Sequence, residues 1–156
     1  MIEIVDGLYL GNREAARDLR RLRVGGITHI VNCAEELPNY FEGQFNYLAL
    51  RLLDPDPQLA ERLPEALRFI DEARRERGKV LVHCYAAVSR SPSVMLAYLC
   101  HVGRTLEEAA AHLGNVVWSD PDWLFLRQIA QHHDETCDEP RLQCLSELLQ
   151  GRPRGS

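Results

Sequence analysis

The stretch VLVHCYAAVSRSP, Val80 to Pro92, closes a run of strand formers with His83-Cys84, and Arg90-Ser91 follow just before an apolar helical pattern begins. A loop that leads from a strand into a helix N-terminus is a ready anion site. Its successive backbone N–H groups can aim inward as a nest. Arg90 adds a planar fork of donors suited to a tetrahedral oxyanion. Cations and helix N-termini also favour the thiolate of a nearby cysteine, the nucleophilic form. A loop built to hold a phosphate would therefore also make its own nucleophile. Alone, a cysteine at a strand end is more often a small buried residue. The His-Cys, five residues, Arg-Ser spacing between strand and helix sets Cys84 apart.

The elements around this loop read as alternating strands and helices. EIVDGLYLGN reads as a short strand pair turning at Asp6-Gly7. NREAARDLRRLRVGG reads as one helix capped by Asn12 and stopped at Gly25-Gly26, with Ala15, Ala16, Leu19 and Leu22 on one face. ITHIVNCA and FNYLALRLLD read as strands, the second ending at Asp54. DPDP is a stiff loop, and the helix after it should hold Pro64 in its first turn. KVLVHC is a continuous apolar strand, as expected of a buried central position. SPSVMLAYLCHVG is a core helix, Thr105 and Glu108 form a capping box, and PDWLFLRQIAQHH is a further helix with Trp123, Leu124, Leu126 and Ile129 inward. The pattern implies an α/β fold with a single, mostly parallel central sheet flanked by helices.

HCYAAVSRSPSVMLAYLC resembles the signature of the dual-specificity protein tyrosine phosphatases, in particular their small atypical members. DGLYLGN, HIVNCAEE, FIDEA and PDWLFLRQI resemble further segments of that family, so the likeness runs from about Val5 to Gln131. It implies a catalytic domain over residues 1–134 and a C-terminal extension over 135–156, with RLQCLSELLQ as a short helix on the body or on a partner and GRPRGS as a frayed tail. It also implies roles. Cys84 attacks phosphorus and forms a cysteinyl-phosphate. The backbone N–H groups of Tyr85, Ala86, Ala87, Val88, Ser89 and Arg90, with the Arg90 guanidinium, hold the equatorial oxygens. Ser91 donates to the leaving thiolate, and His83 steadies the loop. One carboxylic acid on a facing loop must protonate the leaving oxygen and later activate water. Asp54 is the expected acid, because it opens the proline-stiffened loop seven residues after Tyr47. Asp56 is the alternative, with a capping or loop-fastening role preferred for it.

The sequence departs from the family at three points. Ala87 stands where the family has glycine. If that position needs φ > 0, a Cβ costs roughly 1–2 kcal/mol, which is about one decade in rate when it falls on the transition state. Asp122 replaces the usual asparagine, and Val117 replaces a frequent basic residue, which weakens any expectation of a second phosphate in the substrate. Cys33 also ends a strand. A small buried side chain is its plainer reading; if its strand neighbours that of Cys84, the two thiols could form a protective disulfide.

The 156 residues suit one domain, and the net charge of −5 argues against nucleic acid as the main partner. Five cysteines, an odd count, with no leader pattern in MIEIVDGLYLGN, point to a reduced intracellular setting, cytoplasmic or nuclear. No apolar run approaches the ~18 residues of a membrane span. No cofactor or metal is expected: His132, His133, Cys137 and Cys144 lack a zinc spacing. The expected activity is hydrolysis of phosphotyrosine and phosphoserine/threonine in phosphorylated proteins. The alternatives are a phosphate-binding adaptor of low activity and a phosphatase of lipid, glucan or RNA ends.

Overall fold

The computed structural model describes residues 1–151, so the expected frayed tail lies outside the described residues except for Gly151. The elements in order are β1 (Ile2–Val5), β2 (Leu8–Gly11), α1 (Arg13–Ala16), α2 (Leu19–Val24), β3 (His29–Ala34), β4 (Asn46–Leu52), α3 (Leu59–Arg75), β5 (Val80–His83), α4 (Arg90–His101), α5 (Leu106–Val116), α6 (Trp123–His132) and α7 (Glu139–Leu149). They build one sheet in the order β1-β2-β5-β3-β4. β2, β5, β3 and β4 run parallel, and β1 joins the edge antiparallel through a turn at Gly7, φ +77°. This is the single, mostly parallel sheet that the strand–helix alternation implies.

Both faces of the central strands are covered, which explains why KVLVHC carries no polar alternation. Val80 and Val82 of β5, with Val31 and Cys33 of β3, face the large core shared with α3 to α7. Leu81 and Ile30 face the smaller core formed with Ala16, Leu22 and Ile27. α4 is buried along nearly its whole length and lies closest to the sheet's chemistry.

Three local expectations are corrected. The first helix is two: Asp18 breaks it and caps α2 by accepting from the Arg21 N–H at 3.1 Å. Leu19 is only half-buried as a result. Pro64 is not in the first turn of α3 but five residues past its start at Leu59. A proline inside a helix costs about 3 kcal/mol; full burial of Leu59 and Leu63 returns roughly 1.5–3 kcal/mol each, enough to extend the helix past it. On α6 the fully buried side chains are Phe125, Leu126 and Ile129, while Trp123 and Leu124 are half-buried.

The C-terminal helix α7 folds back onto the body. Leu142, Leu145 and Leu149 are fully buried in the large core. The backbone of α7 rests on Gly114 of α5: a Cβ at that position would lie 1.8 Å from the Leu148 carbonyl oxygen. Only glycine permits this approach.

Candidate active site

β5 ends at His83, and the chain turns through Cys84 to Ser89 before α4 begins at Arg90. The loop is fastened from outside by its acceptors. The Arg13 N–H donates to the Tyr85 carbonyl at 3.0 Å, and the Asp120 N–H to the Val88 carbonyl at 2.9 Å. The Asp122 N–H donates to Ser89 Oγ at 3.0 Å, and the Ser93 hydroxyl to the Ser89 carbonyl at 2.6 Å. Among the described residues, no backbone N–H from Tyr85 to Arg90 donates to a protein acceptor. With its carbonyls bonded outward, the loop keeps its donors for an anion. Ala87 sits at φ +59°, the left-handed region in which a Cβ is strained.

Cys84 is 2 % exposed, at the floor of a pocket of about 280 Å³ lined also by Glu36, Asp54, Tyr85, Ser89 and Arg90. The Ser91 hydroxyl lies 3.1 Å from Cys84 Sγ. The donors of Arg90 divide cleanly. Nη1 and Nη2 donate to the two Glu36 carboxylate oxygens at 2.5 and 2.7 Å, and Nη1 also donates to the Leu52 carbonyl at 3.0 Å. A guanidinium has five N–H donors in a fixed fork. What remains is the Nε–H, buried and without a protein partner, and the outer Nη2–H beside it. These two form a side-on fork fit for two oxygens of one phosphate. The Glu36 hydrogen bonds raise the Arg90 pKa further and lower that of Glu36 below the usual carboxylate range.

The two aspartates of DPDP divide the work of their loop. Asp54 lines the same pocket as Cys84. Asp56 faces inward and fastens the loop: its carboxylate accepts from the Leu53 N–H at 2.9 Å and the Gln58 N–H at 2.8 Å. Gln128 of α6 clamps the same loop, donating to the Asp56 carbonyl at 2.7 Å and accepting from the Ala60 N–H at 3.0 Å. The loop-fastening reading of Asp56 is the one seen.

His83 is buried, and burial pushes its pKa down to about 4, so the ring is neutral. Its Nδ1 lies 3.5 Å from the Cys84 carbonyl oxygen, at the long limit of a hydrogen bond. Cys33 lies on the strand beside β5, where the pair Asn32–His83 sets the register and puts Cys33 and Cys84 one step further along. Cys33 is fully buried, and burial followed by the nearby Cys84 charge raises its pKa well above the ordinary value.

Beyond the pocket, the segment between α5 and α6 forms the rim. A groove of about 520 Å³ runs past Asp54 and Ser89 to Asp120, Pro121 and Trp123. α7 holds this rim in place. The Ser119 N–H donates to the Leu149 carbonyl at 3.2 Å, Gln150 to the Asp120 carboxylate at 3.2 Å, and the Trp123 indole N–H to the Ser146 hydroxyl at 2.9 Å. Asp122 caps α6 through the Leu124 N–H at 2.8 Å. Val117 closes α5 with its side chain half-buried.

The structure thus brings Cys84, Arg90 and Asp54 to one pocket, with Ser91 buried against Cys84 Sγ. Sequence reasoning missed Glu36, Gln128 and the α7 tethers. Glu36 lies just past the end of β3, at the same carboxyl edge of the sheet as Cys84, which is the one clue to it. His132, His133, Cys137 and Cys144 form no metal cluster; among the described residues there is none. Nor is any helix among them long and apolar enough to cross a membrane.

Comparison with known proteins converges on one family. The family model described as "Dual specificity phosphatase, catalytic domain" matches residues 8–134. Dual specificity protein phosphatase 2 of Mus musculus is 40% identical over 110 residues, 69% of this chain and 35% of its own length. Dual specificity protein phosphatase Mpk3 of Drosophila melanogaster is 43% identical over 115 residues, 70% of this chain and 28% of its own. The chain therefore spans about a third of the length of these curated relatives. Among solved structures, the human tyrosine phosphatase-like serine/threonine/tyrosine-interacting protein aligns with TM-score 0.79 at 31% identity, covering 86% of this chain and 95% of that one. DUSP15 aligns over 100% of this chain and 98% of its own, with TM-score 0.76 at 28% identity. A family-model match over residues 8–134, a span that includes the loop of Cys84 and Arg90, places this chain in the dual specificity phosphatase catalytic-domain family.

Proposed function

We propose that this chain hydrolyses phosphotyrosine and phosphoserine/threonine in proteins through a cysteinyl-phosphate. The observation that carries the reading is the pocket over Cys84: free loop N–H groups, the side-on fork of Arg90 and the Asp54 carboxyl converge on one small volume. In the first step the Cys84 thiolate attacks phosphorus as the ester P–O bond breaks, and Asp54 gives its proton to the leaving oxygen. The Tyr85–Arg90 N–H groups and the Arg90 fork neutralise the charge on the equatorial oxygens. In the second step the Asp54 carboxylate takes a proton from water, the water oxygen attacks phosphorus, and the S–P bond breaks. Ser91 then donates to the departing thiolate from its present distance of 3.1 Å. No metal takes part in these steps. His83 steadies the loop from beneath.

The test is hydrolysis of a small aryl phosphate and of phosphopeptides against pH. Cys84→Ser abolishes turnover, and Asp54→Asn lowers it by about 10²-fold and flattens the alkaline fall of the rate. Wild-type protein that turns over neither substrate would sink the reading. Faster hydrolysis of lipid, glucan or RNA phosphates than of phosphopeptides would redirect it. A thiol nucleophile works only when reduced, which supports a cytoplasmic or nuclear site of action.

Cys33 fits a protective role on the same reading. Peroxide converts the Cys84 thiolate to a sulfenic acid, and the Cys33 thiol condenses with it, forming the disulfide and releasing water. Burial of Cys33 keeps it protonated and slows this step. Mass spectrometry of peroxide-treated protein is expected to find a Cys33–Cys84 linked peptide; over-oxidised Cys84 with no such link would refute the pairing.

A further inference from the structure

Among the described residues seven large apolar side chains are exposed; Val24, Val102 and Val116 line neither hollow at the phosphate loop, and the other four gather near it. Of these four, Tyr85 (43 %) lines the pocket, Leu53 (58 %) precedes Asp54, and Ile2 (43 %) and Trp118 (53 %) line an adjoining cavity of about 480 Å³. Exposed apolar groups gathered in one place mark an interaction site, whereas scattered ones do not. This cavity is lined by Ile2, Leu10, Val117 and Trp118 and by the phosphate loop at Ala86 to Val88, with the polar Asn12, Glu14 and Arg21 also on its lining. Ala86 and Val88 also line the phosphate pocket, so the two hollows lie on either side of one ridge.

Trp118 is exposed, yet its backbone is fixed from both sides. The Val117 N–H donates to Leu113 at 2.9 Å, the Ser119 N–H to Leu149 at 3.2 Å, and the Asp120 N–H to the Val88 carbonyl at 2.9 Å. A large aromatic held out on an ordered backbone loses little freedom when it binds, and such residues dominate binding energy at interfaces. The Asp120 bond also ties the Trp118 segment directly to the loop that holds the phosphate.

We propose that this cavity is a substrate subsite: it takes an apolar or aromatic side chain that lies within about three residues of the phosphorylated residue, once an extended substrate crosses the Ala86–Val88 ridge. The proposal rests on the phosphoprotein phosphatase reading. It makes Trp118 a specificity-determining residue. Val117, on the same lining, then adds to the apolar side of the subsite.

Binding and turnover separate this proposal from the reading beneath it. Phosphotyrosine peptides with alanine flanks are compared with peptides carrying a single leucine at each position from about three before to three after the phosphotyrosine. Dissociation constants are measured on the Cys84→Ser protein, and turnover of an aryl phosphate on the wild type. Leucine at one position is expected to tighten binding about tenfold, a typical worth for an apolar group in a pocket. Trp118→Ala in the Cys84→Ser background should bring that ratio close to one, and Trp118→Phe should keep most of it. A ratio near one at every position, or one that survives Trp118→Ala, would overturn the subsite. So would a Trp118-dependent dimer with no peptide preference, which would assign the cavity to a second copy of the chain. A leucine preference in protein that hydrolyses no phosphate would uphold the subsite and reject the phosphatase.

Discussion

Ala87 and His83 show how single residues set the working range of the phosphate loop. Ala87 holds φ +59°, so its methyl group costs roughly 1–2 kcal/mol that glycine would not. Glycine would return part of this through the freer unfolded chain, about 0.5–1 kcal/mol. Ala87→Gly is therefore expected to stabilise the protein by about 0.5 kcal/mol and to raise kcat/KM by up to about tenfold, as urea unfolding and aryl phosphate kinetics would show. His83 acts through protonation. Its folded pKa is pushed by burial to about 4, against an ordinary value of 6.5. Between those values the unfolded chain binds a proton that the folded chain does not, so stability falls as pH falls through this window. The full loss is about 3 kcal/mol. Urea midpoints measured near neutrality and near pH 4 should differ less in His83→Gln than in wild type. Equal differences would show that His83 is not the titrating group.

At the scale of elements, α7 is a strut for the rim. Its end carries the acceptor for Ser119, the side-chain donor for Asp120 and the hydroxyl that receives Trp123. The whole arrangement depends on the close approach at Gly114. Gly114→Ala gains about 1 kcal/mol of helix propensity. It must also displace the α7 backbone, and overpacking of this kind costs up to about 3 kcal/mol. A net loss of about 2 kcal/mol is expected, lowering Tm by about 4–8 °C. Because the rim shifts with α7, KM for phosphopeptides should rise more than KM for an aryl phosphate. An unchanged Tm would mean that α7 yields without cost. The same scale explains the misplaced Pro64. Local propensity argued for a helix starting later, but Leu59 and Leu63 belong to the core, and burial decided the start.

For the whole molecule, what could be read in the sequence was what is local. The phosphate loop, its strand and its helix are contiguous, so the types and spacing of Cys84, Arg90 and Ser91 already implied that they meet at one loop. The capping box at Thr105 and Glu108 was legible for the same reason. Asp54 was legible because its proline-rich loop follows directly from a strand. Glu36 was not, since it meets Arg90 across 54 residues. Gln128 was not, since it meets Ala60 across 68. No periodicity or cap connects such partners; only the packing of the folded chain does. The split between α1 and α2 was missed although its signal was local: Asp18 is a helix-capping residue set in the middle of an apolar pattern.

The strand order also shapes how the protein is made. β5 belongs between β2 and β3, yet it is the last strand to leave the ribosome. At ordinary rates of translation, β3 emerges about 2–10 s before β5 does. During that interval β2 and β3 each present an open edge where their shared neighbour will go. The strand that leads into Cys84 is thus the keystone of the sheet. A nascent chain cannot display a finished phosphate loop over an unfinished sheet, because a single segment completes both.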